Sequence, residues 1–169
     1  IGFIYKEQGI LKEALDYYNR SIKLYEEIDY QLGLASAFGN IGDLHEKQGK
    51  IIEALEYHNR SLKIDEEIGD KKGIATSLTR IGIIYYNQGK IKEALDYYNR
   101  SLTIQIEIGD KKGIAISLKN MGIIHNDRGE LMEALEYGQK SLTISEEIGY
   151  PDNISQASSL LSEVYQKQG

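Results

Sequence analysis

Cysteine is absent from the 169 residues, proline occurs once and excess positive charge is missing: 20 Lys and Arg face 26 Asp and Glu, a net charge of −6. Without a thiol there is no disulfide, no thiolate nucleophile and no cysteine zinc site. Nucleic-acid affinity comes largely from Lys and Arg that neutralise phosphates, and here the lysines are scattered among glutamates, so no nucleic-acid partner is expected. No apolar run reaches the ~20 residues of a membrane span, and no signal-peptide pattern stands at Ile1. A cytoplasmic protein without a membrane partner is the expectation.

Chemistry-bearing motifs are equally scarce. The 17 glycines contain neither a G-x-G-x-x-G nor a P-loop. No Ser, His and Asp set stands out, so no catalytic residue, cofactor or metal is expected, and the chain reads as a protein other than an enzyme. Three histidines remain. His45 and His125 align with Tyr5, Tyr85 and Tyr165, and His58 with Tyr18 and Tyr98, which assigns all three to aromatic packing positions. His45 and His58 could face each other across one helix pair, yet no Cys or repeated carboxylate completes a ligand set.

What the chain has is a period of forty residues. Gly2, Gly42, Gly82 and Gly122 fall in step, as do Gly9, Gly49, Gly89, Gly129 and Gly169, and Ala14, Ala54, Ala94 and Ala134. Such a period marks repeats that bury their apolar sides against their neighbours. Within one repeat, Gly69 can end the preceding helix in a left-handed cap and Asp70 can accept from the first free amides of the next. Ile74, Leu78, Ile81 and Tyr85 then make a helical stripe, Gly89 closes that helix, and Ile91, Ala94, Leu95, Tyr98, Ser101, Leu102 and Ile108 make a second. Gly82, Ala94 and Ser101 are small where the two helices must approach. Pro151 can open the last helix.

These residues resemble the tetratricopeptide pattern. Leu78-x2-Ile81-Gly82-x2-Tyr85 with Ala94-x3-Tyr98 carries the likeness, and Phe38-x2-Ile41-Gly42-x2-His45 and Leu118-x2-Met121-Gly122-x2-His125 repeat it. The usual proline after the second helix is missing, and the period exceeds thirty-four. The longer repeat resembles a branch that includes spindle-orientation adaptors, bacterial signalling proteins and kinesin light chains. The resemblance implies an all-α, right-handed superhelical solenoid of about four antiparallel helix hairpins. Residues 1–169 read as one array cut from a longer parent, with units near 1–30, 31–70, 71–110 and 111–150 and a lone helix at 151–169.

In proteins of this type the face of the first helices opposite the buried stripe holds a partner peptide or helix. Here it comprises Asn40, Asp43, Thr76, Arg80, Ile83, Tyr86, Asn87, Ile116, Asn120, Ile123 and Asp127, with Phe3 and Glu7 opening the row and Gln156, Leu160, Glu163 and Lys167 ending it. Asn40, Arg80 and Asn120 share one repeat position and offer hydrogen bonds to a partner's backbone or carboxylates. Ile83, Ile116 and Ile123 are either apolar anchors or packing between adjacent first helices. The two readings that follow are a protein-interaction module, regulating an attached output domain, and a spacer or self-assembly element. Uncapped ends would favour self-association.

Overall fold

The computed structural model describes residues 10–168. Among these are eight α-helices: α1 Leu11–Glu27, α2 Gln31–Lys47, α3 Ile51–Ile68, α4 Lys71–Asn87, α5 Ile91–Glu107, α6 Lys111–Asp127, α7 Leu131–Glu147 and α8 Pro151–Gln168. The expected all-α architecture of about four antiparallel helix hairpins is the one observed. Phe3 and Glu7 lie outside the described residues. The chain forms two compact units, Ile1–Ile84 and Tyr85–Gly169.

Helices α1 to α7 each end where the backbone turns to positive φ. Gly49, Gly89 and Gly129 take φ of 73°, 73° and 74°, a left-handed geometry that costs glycine little. At the first of these, the Gly49 amide bonds the Glu46 carbonyl at 2.9 Å and the Lys50 amide bonds the His45 carbonyl at 2.9 Å. Between repeats Gly69, Gly109 and Gly149 do the same, and the first such position carries Asp29 at φ 51°, the one non-glycine residue at positive φ among the described residues. The next helices open on side-chain caps: Asp70 Oδ1 accepts from the Lys72 amide at 3.1 Å, and Asp110 Oδ1 from the Gly113 amide at 3.1 Å.

In the first unit Ala14, Tyr18, Ile41 and Leu44 form one core cluster and Ala35, Phe38 and Ile64 another. In the second, Ala134, Leu160 and Val164 pack with Ile123, Leu131 and Leu135. The recurring alanines Ala14, Ala54, Ala94 and Ala134 are all fully buried. Gly42 is small of necessity, since a Cβ there would stand 2.6 Å from the His58 ring.

The aromatic positions pair in register. His45 stacks on Tyr57 with centroids 5.3 Å apart, Tyr85 on Tyr97 at 5.3 Å and His125 on Tyr137 at 5.2 Å. His45 therefore faces Tyr57 rather than His58, whose fully buried ring lies against Gly42 with Nε2 3.8 Å from Asp43. An imidazole fills the tyrosine position because its flat face gives the same stacking contact.

Candidate partner-binding face

In the first unit the expected face is polar and partly hollow. Asp43 on α2 accepts from Arg80 Nε on α4 at 3.1 Å. The guanidinium reaches it by lying over Gly39, where a Cβ would stand 2.8 Å from Nη1. Asn40 Nδ2 donates to the Ser36 carbonyl at 2.9 Å, and Thr76 Oγ1 to the Lys72 carbonyl at 2.8 Å. Beside them opens a pocket of about 230 Å³ that brings together Asn40, Thr76 and Arg80 with Ser61, Asp65 and Ser77. Ile83 is half-buried.

The floor of this pocket was not among the expected site residues. Asp65, near the end of α3, is 3% exposed. Its Oδ2 stands 3.4 Å from both Ser61 Oγ and Ser77 Oγ, which are themselves 3.4 Å apart. Contacts of that length are weak for hydroxyl donors, whose usual distance is about 2.7–2.8 Å. Burial, followed by the charge of Asp70, pushes the Asp65 carboxyl up from 3.8 to about 6, against smaller opposing effects of Ser61, Ser77 and Arg80. Glu46 is also raised, first by burial and then by Asp43. A signal existed in the sequence: the position that holds Asp65 holds Tyr25, Gln105 and Ser145 in the other repeats, so it departs from the period.

In the second unit the same row is tied to itself. Tyr86 donates to Asp127 Oδ2 at 2.5 Å, and burial, reinforced by that bond, pushes its phenol up to about 12. Lys119 donates to Gln156, and burial lowers the Lys119 pKa. Lys167 Nζ donates to Asn126 Oδ1 at 3.0 Å and pairs with Glu163 at 2.8 Å. Ile116 is half-buried, and Ile123 packs against the cluster of Leu160 and Val164. Leu160, expected on the open face, is itself buried at 4% exposure because α8 turns it toward α7. Asn87 is exposed, whereas the buried Asn120 Nδ2 has no acceptor among the described residues. No group of three His, Asp or Glu side chains is placed to hold a metal among the described residues. None of the described helices is long and apolar enough to cross a membrane.

A family model for the tetratricopeptide repeat matches residues 1–67, 33–107 and 73–147. The chain belongs to the tetratricopeptide repeat family. That membership carries a protein-binding character with it. No curated protein is detectably similar in sequence. Among solved structures, BtubC (BKLC) from P. vanneervenii superposes with a TM-score of 0.84 at 19% identity over 98% of this chain and 69% of its own. Aspartyl phosphate phosphatase F from Bacillus subtilis gives 0.89 at 18% over 95% of this chain and 42% of its own. The apo form of RapI gives 0.82 at 21% over 99% of this chain and 46% of its own. The chain thus spans less than half the length of two of these proteins. At such identities the likeness establishes the tetratricopeptide fold.

One expectation is corrected by this likeness. The absence of a catalytic set had excluded an enzyme, yet a phosphatase is among the proteins of this fold. The physical reason is that a repeat pattern records packing. Residues for chemistry are grafted onto a fold one position at a time and so do not recur with its period.

Proposed function

We propose that this tetratricopeptide chain captures a peptide on the first-helix face of its first unit, in the pocket lined by Asn40, Thr76 and Arg80. The observation that carries this reading is the pocket itself: about 230 Å³, polar, and floored by a buried carboxylate. Repeat arrays use such faces for extended ligands, and main-chain groups of a peptide offer the donors and acceptors that these side chains need. Attachment to an output domain, as in long-repeat signalling relatives, is the finer form of the same reading.

A displayed library of random peptides, selected on the chain at neutral pH, tests it. Thr76 is exposed, so Thr76→Trp fills the pocket mouth without entering the core. Peptides enriched on the parent should be lost, by at least tenfold, on the folded variant. Equal enrichment on both would move binding elsewhere, and no enrichment on either would favour the spacer reading.

That second reading draws on the other unit, where Tyr86 to Asp127, Lys119 to Gln156 and Asn126 to Lys167 join neighbouring first helices. Self-association belongs to it: Met132 and Tyr165 on α7 and α8 are 73% and 59% exposed beside Leu135.

A further inference from the structure

The pocket over Asp65 has counterparts at the same station of the following repeats, and each counterpart is closed. One repeat on, Gln105 Oε1 accepts from Ser117 Oγ at 2.8 Å, and both residues are buried. Two repeats on, Ser141 and Ser145 replace Ser61 and Asp65, and Asn153 fills the space between them. Asn153 Nδ2 donates to Ser141 Oγ at 2.9 Å and to Ser145 Oγ at 2.8 Å. This oxygen set is therefore one that accepts a nitrogen donor.

Among the described residues the first unit supplies no such donor. The residue equivalent to Asn153 is Gly73, whose backbone lies against the Asp65 carboxylate; a Cβ there would stand 2.5 Å from Cγ and Oδ1. The carboxylate, one methylene shorter than Gln105, makes only two long hydroxyl contacts and no ion pair among the described residues. Around it stand Asp70 and Lys72 at the start of α4, Arg80 further along it, and Asn40 on α2, with Asp43 and Glu46 behind Arg80. Arg80 is directed to Asp43 at 3.1 Å instead of to Asp65. A buried carboxylate is stabilised by a partner of opposite charge with hydrogens to give.

We propose that the pocket over Asp65 binds a primary ammonium group, the amino terminus of a peptide or the side chain of a lysine. Its three N–H donors meet the triangle formed by Asp65 Oδ2, Ser61 Oγ and Ser77 Oγ, 3.4 Å on each side. The guanidinium of Arg80 at the rim accommodates the carbonyl or carboxylate oxygen that follows. A compact ammonium suits a pocket of about 230 Å³ better than a planar guanidinium, which needs a flat carboxylate edge on which to fork. This inference rests on the peptide reading and names the group that anchors the peptide.

The test is an amide NMR titration of the full 15N-labelled chain at pH 7.5 with three probes: trialanine, N-acetyl-trialanine and Nα-acetyl-lysine amide. Trialanine or the lysine derivative should shift the Gly73, Ser77 and Arg80 amides, and N-acetyl-trialanine should not. Trialanine alone assigns the site to peptide amino termini, and the lysine derivative alone assigns it to side chains. The comparison of acetylated and free probes uses the unaltered protein and so does not depend on any variant folding. Asp65→Gln, which copies the neutral Gln105 of the next repeat, should weaken binding at least tenfold, and lowering the pH to 5 should do the same to the parent. Absence of shifts with both ammonium probes, or equal shifts with N-acetyl-trialanine, overturns the proposal. If displayed peptides are still selected and still lost in Thr76→Trp, the ammonium site alone is wrong. If that selection fails as well, the peptide reading falls with it.

Discussion

At the scale of single residues, Asp65 is where the chain trades stability for a charged cavity. Its folded pKa is raised, from 3.8 to about 6, so the folded state holds the proton more tightly than the unfolded chain. The stability it contributes is complete below about pH 4 and is lost as pH rises through about 6. A carboxyl held roughly two pH units high would cost about 2.7 kcal/mol in a dry site; water entering the pocket mouth reduces this to about 1 kcal/mol. Asp65→Gln is therefore expected to stabilise the chain by about that amount at pH 7.5, and by progressively less toward pH 4, in urea unfolding followed by circular dichroism. A variant equal to its parent at both pH values would show that the carboxylate is not strained. This residue was hard to read because its meaning depends on Ser61, Ser77 and Gly73, residues on two helices that the sequence separates. Ile123 failed to declare itself for a similar reason: only the packing of α8 decides that it is half-buried.

Elements were far more legible than sites. The turn glycines, the alanines at helix contacts and the stacked pairs that begin at His45, Tyr85 and His125 all follow from the forty-residue period, because local backbone geometry and nearest-neighbour packing write themselves into every repeat. The exception among the turns is Asp29. It stands where Gly69, Gly109 and Gly149 stand and takes φ 51°, a conformation that disfavours a side chain, with Gln31 Nε2 bonded to its Oδ1 at 2.6 Å on the exposed surface. Asp29→Gly should relieve the backbone and lose that contact, for a net gain of about 0.5 kcal/mol. Thermal unfolding would register a rise of a few degrees. A fall would mean that the Asp29 to Gln31 bond outweighs the strain.

For the molecule as a whole, the period establishes the number and kind of hairpins, while the two units differ in what their first helices do. One keeps a polar hollow beside its Arg80 to Asp43 bridge, and the other is bridged by its own side chains at Tyr86, Lys119 and Lys167. The apolar surface around Met132, Leu135 and Tyr165 adds a third property. Tyr165 occupies the position at which Tyr85 stacks on Tyr97, yet most of its ring is open to solvent. Light scattering across a concentration series should show the mass of the parent rising, and the double variant Met132→Lys with Tyr165→Glu should keep the mass of a monomer. A parent that is monomeric throughout removes the basis for self-association.

The interlocked pairs at the ends and starts of repeats also bear on how such a gene can change length. Position 65 and position 73 are fitted to each other, as are Gln105 with Gly113 and Ser145 with Asn153. An unequal crossover inside an inter-repeat loop could unite Asp65 with an Asn153-like side chain, where a Cβ alone would collide with the carboxylate, or Ser145 with a glycine, leaving a void. A crossover at the turns of Gly49, Gly89 or Gly129 keeps each pair intact. Inherited gains and losses of repeats should therefore run from turn to turn, so that the heritable module is a second helix together with the first helix that follows it.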